Sequence, residues 1–96
     1  MMSAKKVIAF YLEGCPYCSM ARKAVDELKS EMPEKYSQVE IEWVEENQHP
    51  EISAQYDYYY VPAMFVDGKK MYEAFPGTDY KTCWRNVNRV LHSAVS

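Results

Sequence analysis

Cys15 and Cys18 stand three residues apart in the quartet Cys15-Pro16-Tyr17-Cys18, and Cys83 is the one remaining cysteine of the 96-residue chain. Thiols so placed can exchange with a disulfide, ligate a metal, or lie buried and inert. Three cysteines are too few for the disulfide framework of a small secreted domain, which carries about four to eight. A four-ligand zinc site needs two more donors. Cys83, His49 and His92 are the candidates, and no second paired spacing exists among them, so no metal site is expected. The quartet follows an apolar run and opens a helical pattern near the start of the chain, a position that favours redox chemistry.

The two sulfurs are not equivalent in that setting. Pro16 suits the first helical position, because its missing N–H would be unpaired there in any case. Cys15 then falls at the helix N-cap, where unpaired N–H groups and the positive end of the helix dipole favour a thiolate. Cys18 lies one turn in and is more covered. Cys15 is therefore the expected nucleophile toward a disulfide. Cys18 is the expected resolving thiol that attacks the resulting mixed disulfide. Arg22 and Lys23 add positive potential nearby, but their place among polar residues fits a solvated helix face equally well.

The elements that must hold these groups can be read along the chain. Val7–Leu12 is a continuous apolar run of strand formers, suited to a strand covered on both faces. From Pro16 the apolar residues Ala21, Val25, Leu28 and Met32 recur at helical steps, and Pro33 ends that helix or follows it closely. Val39, Ile41 and Trp43 alternate with Glu40 and Glu42, a strand with one wet face. A short helix starts near Pro50 and runs to about Tyr56. Ala63–Val66 is a third strand, Asp67-Gly68 a two-residue hairpin, and Lys69–Ala74 the returning strand. Pro76-Gly77 turns the chain. Thr78 or Asp79 caps a last helix with apolar positions Cys83, Trp84, Val87, Val90, Leu91 and Ala94. The order β-α-β-α-β-β-α makes an α/β fold with one mixed four-stranded sheet and helices on both faces. The first two strands are parallel through a right-handed crossover.

Composition narrows the function classes. Lys and Arg total 11 against 14 Asp and Glu, a net charge of −3, which argues against a nucleic-acid partner. No apolar run approaches the roughly 20 residues of a membrane span, so no membrane association is expected. Val7–Leu12 is shorter than the usual ~7–15-residue apolar region of a signal peptide, and no small-residue cleavage site follows. The expectation is one domain over residues 1–96, a cytoplasmic monomer. Seven acidic residues and no Lys or Arg lie between Tyr36 and Gly68, with Glu40, Glu42 and Glu45 read as a solvated face. The tyrosines from Tyr56 to Tyr60 are read as packing, with a substrate rim as the less favoured alternative for Tyr60. Trp43 and Trp84 are read as core, and Cys83 as a buried inert thiol on the face of Val87 and Val90.

Val61-Pro62 precedes the third strand. A trans bond there simply marks strand entry, whereas a cis bond turns the Val61 backbone toward a substrate beside Cys15.

With Cys15-Pro16-Tyr17-Cys18, Val61-Pro62 and Gly77-Thr78-Asp79 in this order, nearly the whole chain resembles the glutaredoxin branch of the thioredoxin-fold family. The resemblance implies a thioredoxin-like fold, a cis Pro62 facing the active site, and Cys15 as nucleophile. It implies glutathione as co-substrate, laid along Tyr17, Val61, Pro62 and the turn Gly77, Thr78 and Asp79, and no tightly bound cofactor. Disulfide-containing proteins are the implied partners, in redox homeostasis and electron transport. The chain carries Leu12 where glutaredoxins commonly have a lysine, Tyr60 where they have threonine before Val-Pro, and Pro76-Gly77-Thr78-Asp79-Tyr80 in place of Gly-Gly-x-Asp-Asp. These changes remove a charge-assisted contact to glutathione and crowd the groove. A redoxin fed by a flavoprotein reductase, with weak glutathione use, is therefore the alternative. A metal or iron–sulfur module on the same cysteines, and a non-catalytic adaptor, are further readings.

Overall fold

Val7–Tyr11 forms β1, the central strand on which the fold is built; Val7, Ile8, Ala9 and Phe10 are all buried. Both faces of this strand are covered, as its uninterrupted apolar character requires. In the computed structural model, which describes residues 4–96, the remaining elements follow in the order α1 (Pro16–Glu31), α2 (Pro33–Tyr36), β2 (Ile41–Glu45), α3 (Pro50–Ser53), β3 (Ala63–Val66), β4 (Lys69–Glu73) and α4 (Tyr80–Val95). The sheet order is β2-β1-β3-β4. β1 pairs with β2 in parallel, Val7 opposite Ile41 and Tyr11 opposite Glu45. It pairs with β3 antiparallel, Val7 opposite Val66. β3 and β4 form the hairpin. Its turn residues Asp67 and Gly68 have φ of 49° and 83°, the left-handed pair that a tight hairpin demands.

One face of the sheet is packed by α1 and α4. Ala21, Ala24, Val25 and Leu28 from α1 and Cys83, Val87, Val90, Leu91 and Ala94 from α4 meet Val7, Ala9, Met64 and Val66. A fully buried leucine such as Leu28 contributes about 1.5–3 kcal/mol relative to exposure. The opposite face is smaller and aromatic. Phe10 stacks on Tyr58 at 5.0 Å, and Phe10 and Phe65 both meet the Tyr56 ring. α3 contributes Ile52 to this cluster. The mixed sheet with helices on both faces is thus the observed architecture.

Several boundaries differ from the sequence reading. Pro33 does not merely follow the first helix; it opens α2, whose Tyr36 is buried and donates its hydroxyl hydrogen to Asn88 Oδ1 at 2.7 Å. α3 stops at Ser53 rather than near Tyr56, because Tyr56 and Tyr58 are drawn under the sheet against Phe10 and Phe65. β4 ends at Glu73, one residue early. Glu45 is no part of a solvated face: it is 7% exposed. Its carboxylate accepts N–H groups from Asn47 at 2.6 Å, Gln48 at 3.3 Å and Glu13 at 3.4 Å. These donors compensate for its burial and tie the loop after β2 to the loop after β1. Trp43 and Trp84 are half-buried at the margin of the core rather than inside it. Among the described residues, no helix is long and apolar enough to cross a membrane.

Candidate active site

β1 ends at Tyr11, and the chain turns through Glu13 and Gly14 into α1. Cys15 caps that helix in an extended conformation, φ −82° and ψ 117°, with Pro16 in the first turn. Its sulfur accepts the Cys18 N–H at 3.3 Å. A thiolate at this atom receives an N–H that the helix leaves otherwise unpaired. Cys15 is part-exposed, whereas Cys18 is 3% exposed. Burial, reinforced by the hydrogen bond with Cys15, pushes the Cys18 thiol up to about 12, while the Leu12 backbone and the Arg22 guanidinium pull in the opposite direction. The turn therefore presents one accessible sulfur over one that is covered and protonated at neutral pH.

The Val61–Pro62 bond is cis. The Val61 carbonyl oxygen lies 3.9 Å from Cys15 Sγ, in line to accept from the thiol. Pro62 is buried beneath it. The segment leading here is held by Glu73, which sequence reading did not single out. One carboxylate oxygen accepts the N–H groups of Tyr59 and Tyr60, at 2.5 and 2.7 Å. The other meets Lys70 Nζ at 2.7 Å. Burial raises the Glu73 carboxyl, but Lys70 and the two amides outweigh it and hold the group below the usual carboxylate range. The lysine three positions before Glu73, in a strand that ends at the loop, is the only local signal for this arrangement. Tyr59 is 87% exposed and Tyr60 52%, while Tyr56 and Tyr58 pack.

The third part of the site is the turn before α4. Gly77, at φ 91°, donates its N–H to the Tyr17 hydroxyl at 2.9 Å. Thr78 is buried. Its hydroxyl donates to the Phe75 carbonyl at 2.6 Å and accepts the Phe75 N–H at 3.2 Å. Asp79 caps α4, accepting the Thr82 N–H at 2.8 Å. Those hydrogen bonds with Thr82 hold its carboxyl below the usual range. Tyr17 thus links this turn to the cysteine turn, with Val61 on the other side of Cys15. Phe75, in the same turn, is 54% exposed.

Cys83 is fully buried on α4 beside Tyr72, and burial raises its thiol. It takes no part in the exposed surface. Among the described residues, no group of three or more His, Cys, Asp or Glu side chains is gathered as a metal site would need. Arg22 and Lys23 are exposed, as a solvated helix face requires, and both also meet aromatic rings: Arg22 lies over Tyr11 and Trp43, and Lys23 over Tyr80.

The family model described as a thioredoxin domain matches residues 5–74. A thioredoxin of Methanocaldococcus jannaschii is 31% identical over 67 residues, covering 70% of this chain and 75% of that protein. Among solved structures, Fasciola hepatica thioredoxin superposes with a TM-score of 0.56 at 24% identity, over 92% of this chain and 82% of that one. Human ERp44 in a zinc-bound form gives a TM-score of 0.56 at 23% identity, and there the match covers 91% of this chain but 26% of the longer one. These structural likenesses show the fold. The resemblance read from the sequence holds at the level of the thioredoxin fold, while the matched relative carries the name thioredoxin rather than glutaredoxin.

Proposed function

The chain belongs to the thioredoxin-domain family, and on that premise we propose that it is a dithiol–disulfide oxidoreductase of thioredoxin-like type. Cys15 attacks a protein disulfide, and Cys18 resolves the mixed disulfide, leaving the pair oxidised. The observation that carries this reading is the asymmetry of the two sulfurs. Cys15 is accessible at the helix cap and accepts the Cys18 N–H, and Cys18 is buried directly behind it. The electron donor is a flavoprotein reductase, and the partners are proteins with reducible disulfides. The disulfide itself is the redox carrier, so the reading requires no tightly bound cofactor. We place the protein as a monomer in the cytoplasm, where a reducing milieu keeps such a pair cycling.

Weak use of glutathione is part of the same proposal. The Gly77 N–H is taken by Tyr17, the Thr78 hydroxyl by the Phe75 backbone, and the Asp79 carboxylate by Thr82. A glutathione molecule laid along Tyr17, Val61, Pro62 and this turn competes with those internal bonds. The glutathione-dependent reading is favoured by the Cys15-Pro16-Tyr17-Cys18 quartet.

A side-by-side turnover assay decides between the two. Insulin disulfide reduction fed by thioredoxin reductase is the expected activity, with slow turnover on a glutathionylated peptide fed by glutathione and its reductase. Faster turnover in the glutathione arm would reverse the assignment of donor. The Cys15–Cys18 potential is expected near the thioredoxin value of roughly −270 mV rather than the glutaredoxin range of about −200 to −230 mV. The Cys18→Ser variant traps the mixed disulfide on Cys15. Failure to trap any partner would remove the dithiol mechanism itself.

A further inference from the structure

Arg22 lies one turn beyond Cys18 on α1, and aromatic rings from two strands hold it. Its guanidinium carbon is 4.3 Å from the centroid of the Trp43 ring and 4.7 Å from that of Tyr11. The two rings meet edge to face, 6.2 Å apart with their planes at 80°. Tyr11 ends β1 and Trp43 lies in the adjacent β2. An arginine at an exposed helix position ordinarily samples many rotamers, and stacking on two rings confines it.

We propose that Arg22 is a positioning residue for the second exchange step, its guanidinium held on Tyr11 and Trp43 so that a fixed positive charge faces Cys18 as that thiol ionises. The inference rests on the dithiol reading above and goes beyond it.

The need for such a charge follows from burial. Cys18 is 3% exposed, and a covered thiol resists becoming an anion. The groups that bear on it are Cys15 at the cap, the backbone of Leu12, Arg22 on the same helix, and Tyr72 on β4, beside which Cys83 of α4 lies. Tyr72 and Cys83 are both raised by burial and stay neutral at physiological pH. Glu45, opposite Tyr11 in the sheet, spends its carboxylate on the N–H groups of Glu13, Asn47 and Gln48. Arg22 is the cation of this set.

In the step itself the Cys18 thiol gives up its proton, and its sulfur attacks Sγ of Cys15. The Sγ15–Sγ18 bond forms as the bond from Sγ15 to the substrate sulfur breaks. The leaving sulfur keeps the electron pair and takes up a proton. Two electrons pass from the two cysteines to the original substrate disulfide. Arg22 changes neither count; it lowers the cost of the anionic sulfur before attack.

The test loads Cys15 with 5-thio-2-nitrobenzoate and follows its release by Cys18 in single turnover. Wild type is compared with Arg22→Gln, Arg22→Lys and Trp43→Leu. Arg22 is exposed, so its variants leave the core intact. Arg22→Gln is expected to release the reporter about three- to tenfold more slowly at neutral pH and low salt. The deficit should shrink at high salt, which screens an exposed charge. Arg22→Lys should recover most of the rate, and Trp43→Leu, which unseats the guanidinium, should fall between. A wild-type rate in Arg22→Gln, a slowing indifferent to salt, or a failure of Arg22→Lys to recover the rate overturns the proposal. If wild type itself retains the reporter, the dithiol reading fails, a separate result from a wild type that releases it alongside an equally fast Arg22→Gln.

Discussion

The two long helices begin in the same way and with different atoms. α1 and α4 each run 16 residues, and each is preceded by an extended residue whose side chain accepts the N–H three positions on. At α4 that acceptor is the Asp79 carboxylate, 2.8 Å from the Thr82 nitrogen. At α1 it is the Cys15 sulfur, 3.3 Å from the Cys18 nitrogen. A carboxylate is a strong, charged acceptor that matches the positive end of the helix. Sulfur is a weaker acceptor, but it is a nucleophile. The same backbone position therefore carries a carboxylate cap at one helix and a part-exposed thiol at the other. The Tyr17 hydroxyl, in the first turn of α1, ties the two ends together through Gly77.

The largest departure from this parallel comes from exchanging the reactive atom for a good cap. Cys15→Ser should abolish disulfide reduction in the reductase-coupled assay. Its melting temperature should hold or rise, since serine ranks with aspartate among preferred caps. A variant that loses activity and also melts much lower would show that Cys15 carries packing as well as chemistry.

Alkaline pH sharpens the comparison from inside α1. Burial raises the thiols of Cys18, to about 12, and of Cys83. In the unfolded chain such thiols ionise near about 8.5. Their neutral burial contributes fully below that value. Between the two states' ranges the folded protein binds more protons, so stability falls as pH rises, by up to about 1.4 kcal/mol per pH unit for each group. Tyr58 and Tyr72, also raised by burial, add the same sign near pH 10. Urea unfolding from about pH 7 to pH 10 should show the decline, and Cys18→Ala should flatten it.

The smallest effect belongs to the structural cap. Asp79→Ala should lower the melting temperature by on the order of a few degrees at neutral pH. The Asp79 carboxyl is held low by its bonds with Thr82, so its contribution is present above the unfolded value and is lost as pH falls through the folded one. Wild type and variant should thus converge in acid, as thermal melts on either side of about pH 4 would reveal.

Much of the frame is legible residue by residue. Pro16 after Cys15, Asp67-Gly68 between apolar runs, and the apolar spacing of α4 each state a local preference, and the structure follows them. The bounds of β3 match to the residue. α3 stops short of the Tyr56 that the sequence suggests, because the rings of Tyr56 and Tyr58 pack against Phe10 and Phe65. Glu45 reads as solvated because it belongs to an acidic run, whereas its carboxylate is buried among N–H donors from two loops. Trp43 looked like core because its size suggests it, whereas its position next to Arg22 makes it a platform.

The amino-acid sequence alone determined which side chains carry thiols at a helix start and where the two long helices begin. Those properties come from one residue's chemistry and its immediate neighbours: a thiol at a cap, a proline without an N–H, a glycine at positive φ. Only the tertiary structure decided what surrounds the Cys15 sulfur. The Val61 carbonyl, the Tyr17–Gly77 link, the Glu73 clasp on Tyr59 and Tyr60, and the Arg22 stack join positions 11 to 60 residues apart in the chain. Their order in space depends on how the strands pair and which face each helix covers, which no short stretch of residues encodes.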